Sequence, residues 1–196
     1  MKKGTKTLLI IGVLVLILVG GTLSTYNGLI AKDEAVSTAW GNVQSQYQRR
    51  ADLIPNLVNV VKGYAKHESK TLESVIAARA KATQITVDAN SLTPEKLKEF
   101  QTAQGELSQA LGRLMVVKEN YPELKANENF SELQAQLEGT ENRINESRLL
   151  YNQSVQTYNV SARRFPANIV ASIFGFEKKA QFEAEEGAKT APKVEF

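Results

Sequence analysis

The chain has 196 residues, no cysteine, and 24 Lys plus Arg against 21 Asp plus Glu, a formal charge of +3. Lys2, Lys3 and Lys6 account for that excess, so the remainder is neutral and a broad basic field for nucleic acid is excluded. The missing cysteine rules out disulfides, thiol redox chemistry, Cys-ligated metal and a lipoprotein anchor.

Residues 7–25, TLLIIGVLVLILVGGTLST, carry no charge. At about 1.5 Å per residue, such a run matches the hydrocarbon thickness of a bilayer and can cross it once. Leu8, Ile10, Val13, Leu16 and Leu18 are the expected anchor, with membrane lipid as their partner. Residues 1–6 form a cationic tail, and beyond the run only Lys32 precedes Arg49, so the lysine bias places the N-terminus in the cytoplasm and the domain outside it. A cleaved signal peptide is the rival reading, with Thr22 and Ser24 as small residues, but no A-x-A site is present.

Tyr26, Leu29, Val36, Trp40, Val43 and Tyr47 follow a three-then-four rhythm, which predicts a first helix over 26–52. Gly20 and Gly21 weaken a helix without ending it in lipid, so this helix is expected to continue from the membrane. At Asp52-Leu53-Ile54-Pro55 the proline predicts a break and a restart. A second helix then runs to about Thr86, with Leu57, Val58, Val61, Leu72, Val75, Ile76 and Arg79 on its face.

Residues 88–94 form a loop ending in Thr93 as N-cap and Pro94 at the first helical position. The third helix extends to about Asn120 and stops at Tyr121-Pro122. The fourth starts near Asn129 or Ser131. Along it Leu137, Ile144, Tyr151, Tyr158 and Phe165 recur every seven residues, beside a small-hydroxyl line at Thr140, Ser147, Ser154 and Ser161. That pairing of large and small lines permits close helix packing. Asn145, Asn152 and Asn159 form a third stripe, read either as a solvated flank or as a polar ladder to another helix or a partner. Arg163-Arg164-Phe165-Pro166 closes the helix, and Ile169, Val170, Ile173 and Phe174 predict a short apolar helix ending at Gly175. Residues 176–196 read as a flexible tail too poor in apolar surface to order itself, although Val194 and Phe196 could dock.

The expected fold is all-α: an antiparallel up-down four-helix bundle over 26–175, with the transmembrane helix continuing into its first helix. An extended coiled-coil dimer is the alternative. Prolines 55, 94 and 122 favour a chain that folds back on itself.

The block Tyr47-Gln48-Arg49-Arg50-Ala51-Asp52-Leu53-Ile54-Pro55-Asn56-Leu57-Val58, continued by VKGYAKHE, resembles the signature of the LemA family of bacterial membrane proteins. Further similarities follow in order at Ala78-Arg79, Tyr121-Pro122, LKAN at 124–127, Asn129-Phe130, Thr140-Glu141-Asn142, Arg148, Tyr151-Asn152, Tyr158-Asn159, Phe165-Pro166 and Phe174-Gly175-Phe176. The resemblance implies an N-terminal membrane helix in a bacterial cell envelope, an antiparallel helical bundle and no established enzymatic activity. It also implies partners among other membrane proteins, a membrane metallopeptidase among them.

Catalytic motifs are scarce. His67-Glu68-Ser69-Lys70-Thr71 begins like H-E-x-x-H but has Thr71 in place of the second histidine, and His67 is the only histidine. No cofactor or metal is expected, and the chain does not read as an enzyme. Glu138, Glu141 and Glu146 have helical spacings suited to Arg143 and Arg148. Arg49, Arg50, Asp52 and Pro55 are expected at the membrane-distal turn, with Arg50 on the line of Leu29, Val36 and Val43. They either fix that turn, paired with Glu141 or another carboxylate, or bind a partner or anion there. Three function classes follow: a non-enzymatic adaptor presenting a rigid bundle to protein partners, a self-assembling envelope or membrane-shaping protein forming homo-oligomers, and a small-ligand sensor.

Overall fold

The apolar run and the predicted first helix are one object. In the computed structural model, which describes residues 3–65 and 67–183, helix α1 spans Lys3–Tyr64 without interruption. Its 62 residues extend about 93 Å at the helical rise. Along the apolar part, Leu8, Leu16 and Leu18 point away from the rest of the chain, as a lipid-facing segment requires. The hydroxyls of Thr22 and Thr25 donate back to the carbonyls of Leu18 and Gly21, so neither leaves a polar group unpaired there.

Pro55 corrects the sequence expectation. It lies inside α1, and the helix ends later, at Tyr64. A proline has no N–H for the carbonyl four residues earlier, which here is Ala51, and normally costs a helix about 3 kcal/mol. Arg79 supplies the missing donor: its Nε donates to the Ala51 carbonyl at 2.8 Å. The orphaned acceptor is thus filled from a neighbouring helix, and α1 continues for nine more residues.

Helix α2 is correspondingly short, Ser69–Gln84. The following loop contains a 3-10 turn at Ala89–Ser91 and is held to α1 where Trp40 Nε1 and Gln44 Nε2 both donate to the Val87 carbonyl at 2.9 Å. Helix α3 spans Pro94–Val117, with Thr93 accepting from the Lys96 N–H as the predicted N-cap. Past a 3-10 turn at Lys118–Asn120, Pro122–Lys125 forms one further turn, α4, that the sequence reading does not contain. Helix α5 spans Glu128–Arg163, and Asn127 caps it by accepting from the Phe130 N–H. Helix α6, Ala167–Phe174, ends at Gly175, whose φ of 76° is the left-handed conformation that favours glycine.

Contacts define how these helices lie. Asn127 meets Tyr64, Glu141 meets Arg50, Tyr151 meets Trp40, and Ala162 clusters with Leu29, so α5 runs antiparallel to α1 along its whole domain half. Helices α2 and α3 pair with each other and add one core with the distal half of α1, built from residues such as Leu57, Val61, Val75, Leu114 and Phe130. At about 24 Å and 36 Å, α2 and α3 are too short to cover the membrane-proximal half of α1. Helix α6 and residues 176–183 fill that gap.

The tail expectation therefore needs correction for residues 176–183. They are extended and packed, with Phe182 buried against Trp40 and Tyr151. One large aromatic outweighs the polar composition, because it enters a pocket already lined with rings. Val194 and Phe196 lie outside the described residues.

The Pro55–Arg79 compensation predicts a specific coupling. Arg79→Ala should destabilise the chain by ~1–2 kcal/mol, the value of a charged hydrogen bond to a part-buried carbonyl. In a Pro55→Ala background, where residue 55 regains its N–H, the same change should cost clearly less. Urea unfolding of the four variants measures the coupling, and additive effects would contradict this account.

Candidate functional site

Two polar centres interrupt the core. The first is Arg50, only 1% exposed and midway along the buried line of Leu29, Val36, Val43 and Leu57. Its Nη1 donates to Glu141 Oε2 at 2.9 Å and to Ser108 Oγ at 2.8 Å, and its Nη2 donates to Gln104 Oε1 at 2.6 Å and the Gln104 carbonyl at 3.2 Å. The guanidinium also lies 5.1 Å from the centre of the Tyr47 ring. Three helices, α1, α3 and α5, are thereby tied to one planar cation, whose fork geometry suits several acceptors at once. Arg50 Nε is buried without a partner among the described residues.

The sequence-predicted group does not stay together. Arg50 and Glu141 meet, whereas Arg49 and Asp52 are exposed, with Asp52 accepting from Gln48 Nε2 at 2.7 Å. Pro55 is exposed within the helix, and Arg148 lies over the Phe182 ring at 4.7 Å. None of these marks the distal end of the domain, because α1 runs past them to Tyr64. His67 occupies the exposed turn after α1. Gln104 and Ser108 carry no sequence expectation, and Arg79, expected only on a helix face, takes a role that its spacing does not announce. Gln104 was detectable as a polar residue on the line between Phe100 and Leu107, and Arg79 as a donor for the carbonyl that Pro55 abandons.

The second centre is the strap of residues 176–183. Asn152 accepts from the Phe182 N–H at 2.9 Å and donates to its carbonyl at 3.1 Å, and Asn159 treats Lys179 the same way at 2.9 and 3.0 Å. The register is a matter of lengths: seven residues of helix rise about 10.5 Å, and three residues of extended chain cover about 10 Å. Two members of the asparagine stripe are thus a ladder to the chain's own tail. Tyr151 and Tyr158 donate to the Ala180 and Glu177 carbonyls at 2.9 and 3.0 Å, and Lys179 pairs with Asp33 of α1 at 2.7 Å. Asn145, the third member, is exposed.

Burial, aided by the charges of Asp33 and Glu177, raises the Tyr158 phenol to about 12, and burial raises Tyr151 as well. For Tyr47 burial dominates, partly opposed by Arg148 and Arg50. Tyr151 and Tyr158 are neutral phenols placed to donate to backbone, which is structural work.

Both centres generate predictions. Glu141→Ala leaves the Arg50 cation buried without its carboxylate and should cost ~2–4 kcal/mol, discounted from a fully buried pair because Glu141 is half-exposed. Arg50→Met removes the buried charge while keeping volume and should cost less; denaturant melts that reverse this order would refute the assignment of cost to the stranded cation. For the strap, Tyr158 binds its proton more tightly when folded, so its contribution is complete below the unfolded value of 10.0 and is lost as pH rises toward about 12. Melting temperature should fall over that interval, and Tyr158→Phe should show a shallower fall than the parent.

Comparison with known proteins places the chain in a family. Residues 39–196 match the LemA family. The chain is 28% identical to magnetosome protein MamQ 2 of Paramagnetospirillum magneticum, over 94% of its own length and 74% of that protein's. It is 27% identical to magnetosome protein MamQ of Magnetospirillum gryphiswaldense, over 86% and 68% of the two lengths. With protein LemA of Metamycoplasma hominis the identity is 26%, over 82% and 69%. An all-helical domain on an N-terminal helix apolar enough to cross a membrane, matched over most of its length, is a member of the LemA family.

Proposed function

We propose that this chain is a single-pass, non-enzymatic membrane adaptor that presents a rigid helical domain to protein partners at a fixed height above the bilayer. The observation that carries the reading is the continuity of α1 from the apolar run to Tyr64. A flexible tether would leave the domain free to tumble, whereas one helix makes membrane segment and domain stem a single lever. Helices α1, α2, α3 and α5 are read as an antiparallel four-helix bundle, supported by shared cores rather than by α1–α5 packing alone. The lysine bias of residues 1–6 supports a domain outside the cytoplasm. The buried polar groups are spent on packing, which supports a binding role over catalysis. Relatives named for LemA and for the magnetosome support a scaffold reused in different settings.

Self-assembly is the second reading, favoured by exposed Leu149, Leu150 and Val160 on α5. Cross-linking of the full-length chain in intact cells with a membrane-impermeant amine reagent addresses both. An adaptor with its domain outside should be trapped chiefly with unlike membrane proteins. Products made only of copies of this chain would replace the adaptor by the assembling protein, and a chain untouched until the cells are opened would reverse the orientation.

A further inference from the structure

Helix α6 has an apolar side that the fold leaves uncovered. Val170 and Ala171 are buried toward α1 and α5, while Phe165, Ile169, Ile173 and Phe174 are 79%, 51%, 72% and 53% exposed. Four large apolar side chains within ten residues are costly to hold in water, at about 25 cal/mol per Å².

Their position identifies what covers them. The Phe174 ring lies 4.8 Å from that of Tyr26, and Phe176 lies 5.6 Å from the same ring. Ala171 clusters with Leu29. Tyr26 is the first residue after the uncharged run of 7–25, so α6 is fixed to α1 where that run ends. With the run filling the hydrocarbon layer, the level of Tyr26 is the lipid–water boundary. The ring contacts at Tyr26 therefore put the exposed residues of α6 at the level where the apolar run of α1 ends, and exposed Arg163 and Arg164 stand just before them. Arginines beside apolar side chains are the composition of an element lying in the headgroup region, where cations meet anionic lipid.

We propose that α6 is a second membrane contact: an interfacial foot whose Phe165, Ile169 and Ile173 enter the outer acyl region while Arg163 and Arg164 meet lipid phosphates. The inference rests on α1 crossing the membrane and adds what a single helix cannot supply. One helix through a bilayer leaves the domain free to tilt and to rotate about the helix axis. A second contact, to one side of α1 and held by the Tyr26–Phe174 packing, restricts both motions. Ile169 and Ile173, one helical turn apart, form one contact line.

Depth-dependent quenching in the full-length chain tests this. Trp40 is the only tryptophan, is 1% exposed, and lies about 21 Å along α1 from Tyr26, beyond the reach of a contact quencher. Ile173→Trp, at an exposed position where the larger ring is tolerated, adds one reporter. The protein is reconstituted in phosphatidylcholine vesicles with phosphatidylglycerol as the minor lipid, brominated either near the headgroup end of the acyl chain or near its terminal methyl. The foot requires blue-shifted reporter emission, quenched at least twofold more by the shallow bromines than by the deep ones, with parent emission unchanged. Ile169→Trp should report the same depth. Carbonate-washed vesicles that retain the chain, with unquenched and water-like reporter emission, overturn the foot and leave the α1 anchor standing. Loss of the chain in that wash overturns the anchor and the foot together. Blue-shifted emission indifferent to both bromines, and lost on diluting the protein in lipid, also overturns the proposal by showing that a second copy covers this side.

Discussion

A single backbone carbonyl governs how far the anchored helix extends. At Ala51 the chain loses its helical partner to Pro55, and the loss is met by Arg79 from α2. Were that acceptor unmet, a turn near residue 52 would be the cheaper solution, and the residues now completing α1 would have to pair differently with α2. The hydrogen bond is local, but what it permits is global: Leu57 and Val61 continue the buried line of α1 into the distal core. The dependence runs in both directions, since α2 is positioned to donate only because the chain reverses beyond Tyr64.

Arg50 imposes a different kind of constraint. A cation at 1% exposure gains little stability over an apolar residue of similar size, because desolvation offsets most of its attraction to Glu141. Its effect is on alternatives. Sliding α5 or α3 by one turn along α1 would separate the guanidinium from Glu141, Gln104 and Ser108 together, whereas leucines would accept the new register with modest loss. The small hydroxyls support the same choice. Thr140 and Ser147 are buried and satisfy themselves on their own helix, at the Gln136 and Ile144 carbonyls, leaving slim surfaces where α5 approaches α1.

Much of this was legible in the residues. The apolar run, the helical class, the Thr93 cap, the close of the last long helix and the glycine end of α6 each follow from short-range rules whose causes lie within a few residues. The misreadings share one physical origin, a local signal answered by a distant group. Pro55 looked like a break because its compensation sits twenty-four residues away in Arg79. The strap looked disordered because composition counts Phe182 as one residue among polar neighbours, whereas its environment is Trp40, Tyr151 and Arg148. Asn152 and Asn159 showed the right period without showing which chain would read it. Arg49 and Asp52 were grouped with Arg50 by adjacency, although neighbours on a helix point about 100° apart.

The corrections at Pro55 and in residues 176–183 alter the mechanics of the molecule in one direction. A break at Pro55 and a loose tail would have given a short stem with a compliant domain above it. Instead the stem is a single helix, α5 lies along its entire domain half, and the strap closes the membrane-proximal gap by fastening Lys179 to Asp33 on one side and to Asn159 on the other. Each addition shortens the span of α1 that lacks lateral support. Bending a helix is easiest where no neighbour packs on it, so the weakest remaining stretch of the domain half lies between the end of the apolar run and Leu29. That is the level at which α6 packs against Tyr26. Lateral support therefore accompanies α1 from Tyr26 to Tyr64, supplied in turn by α6, the strap, α5 and the distal core.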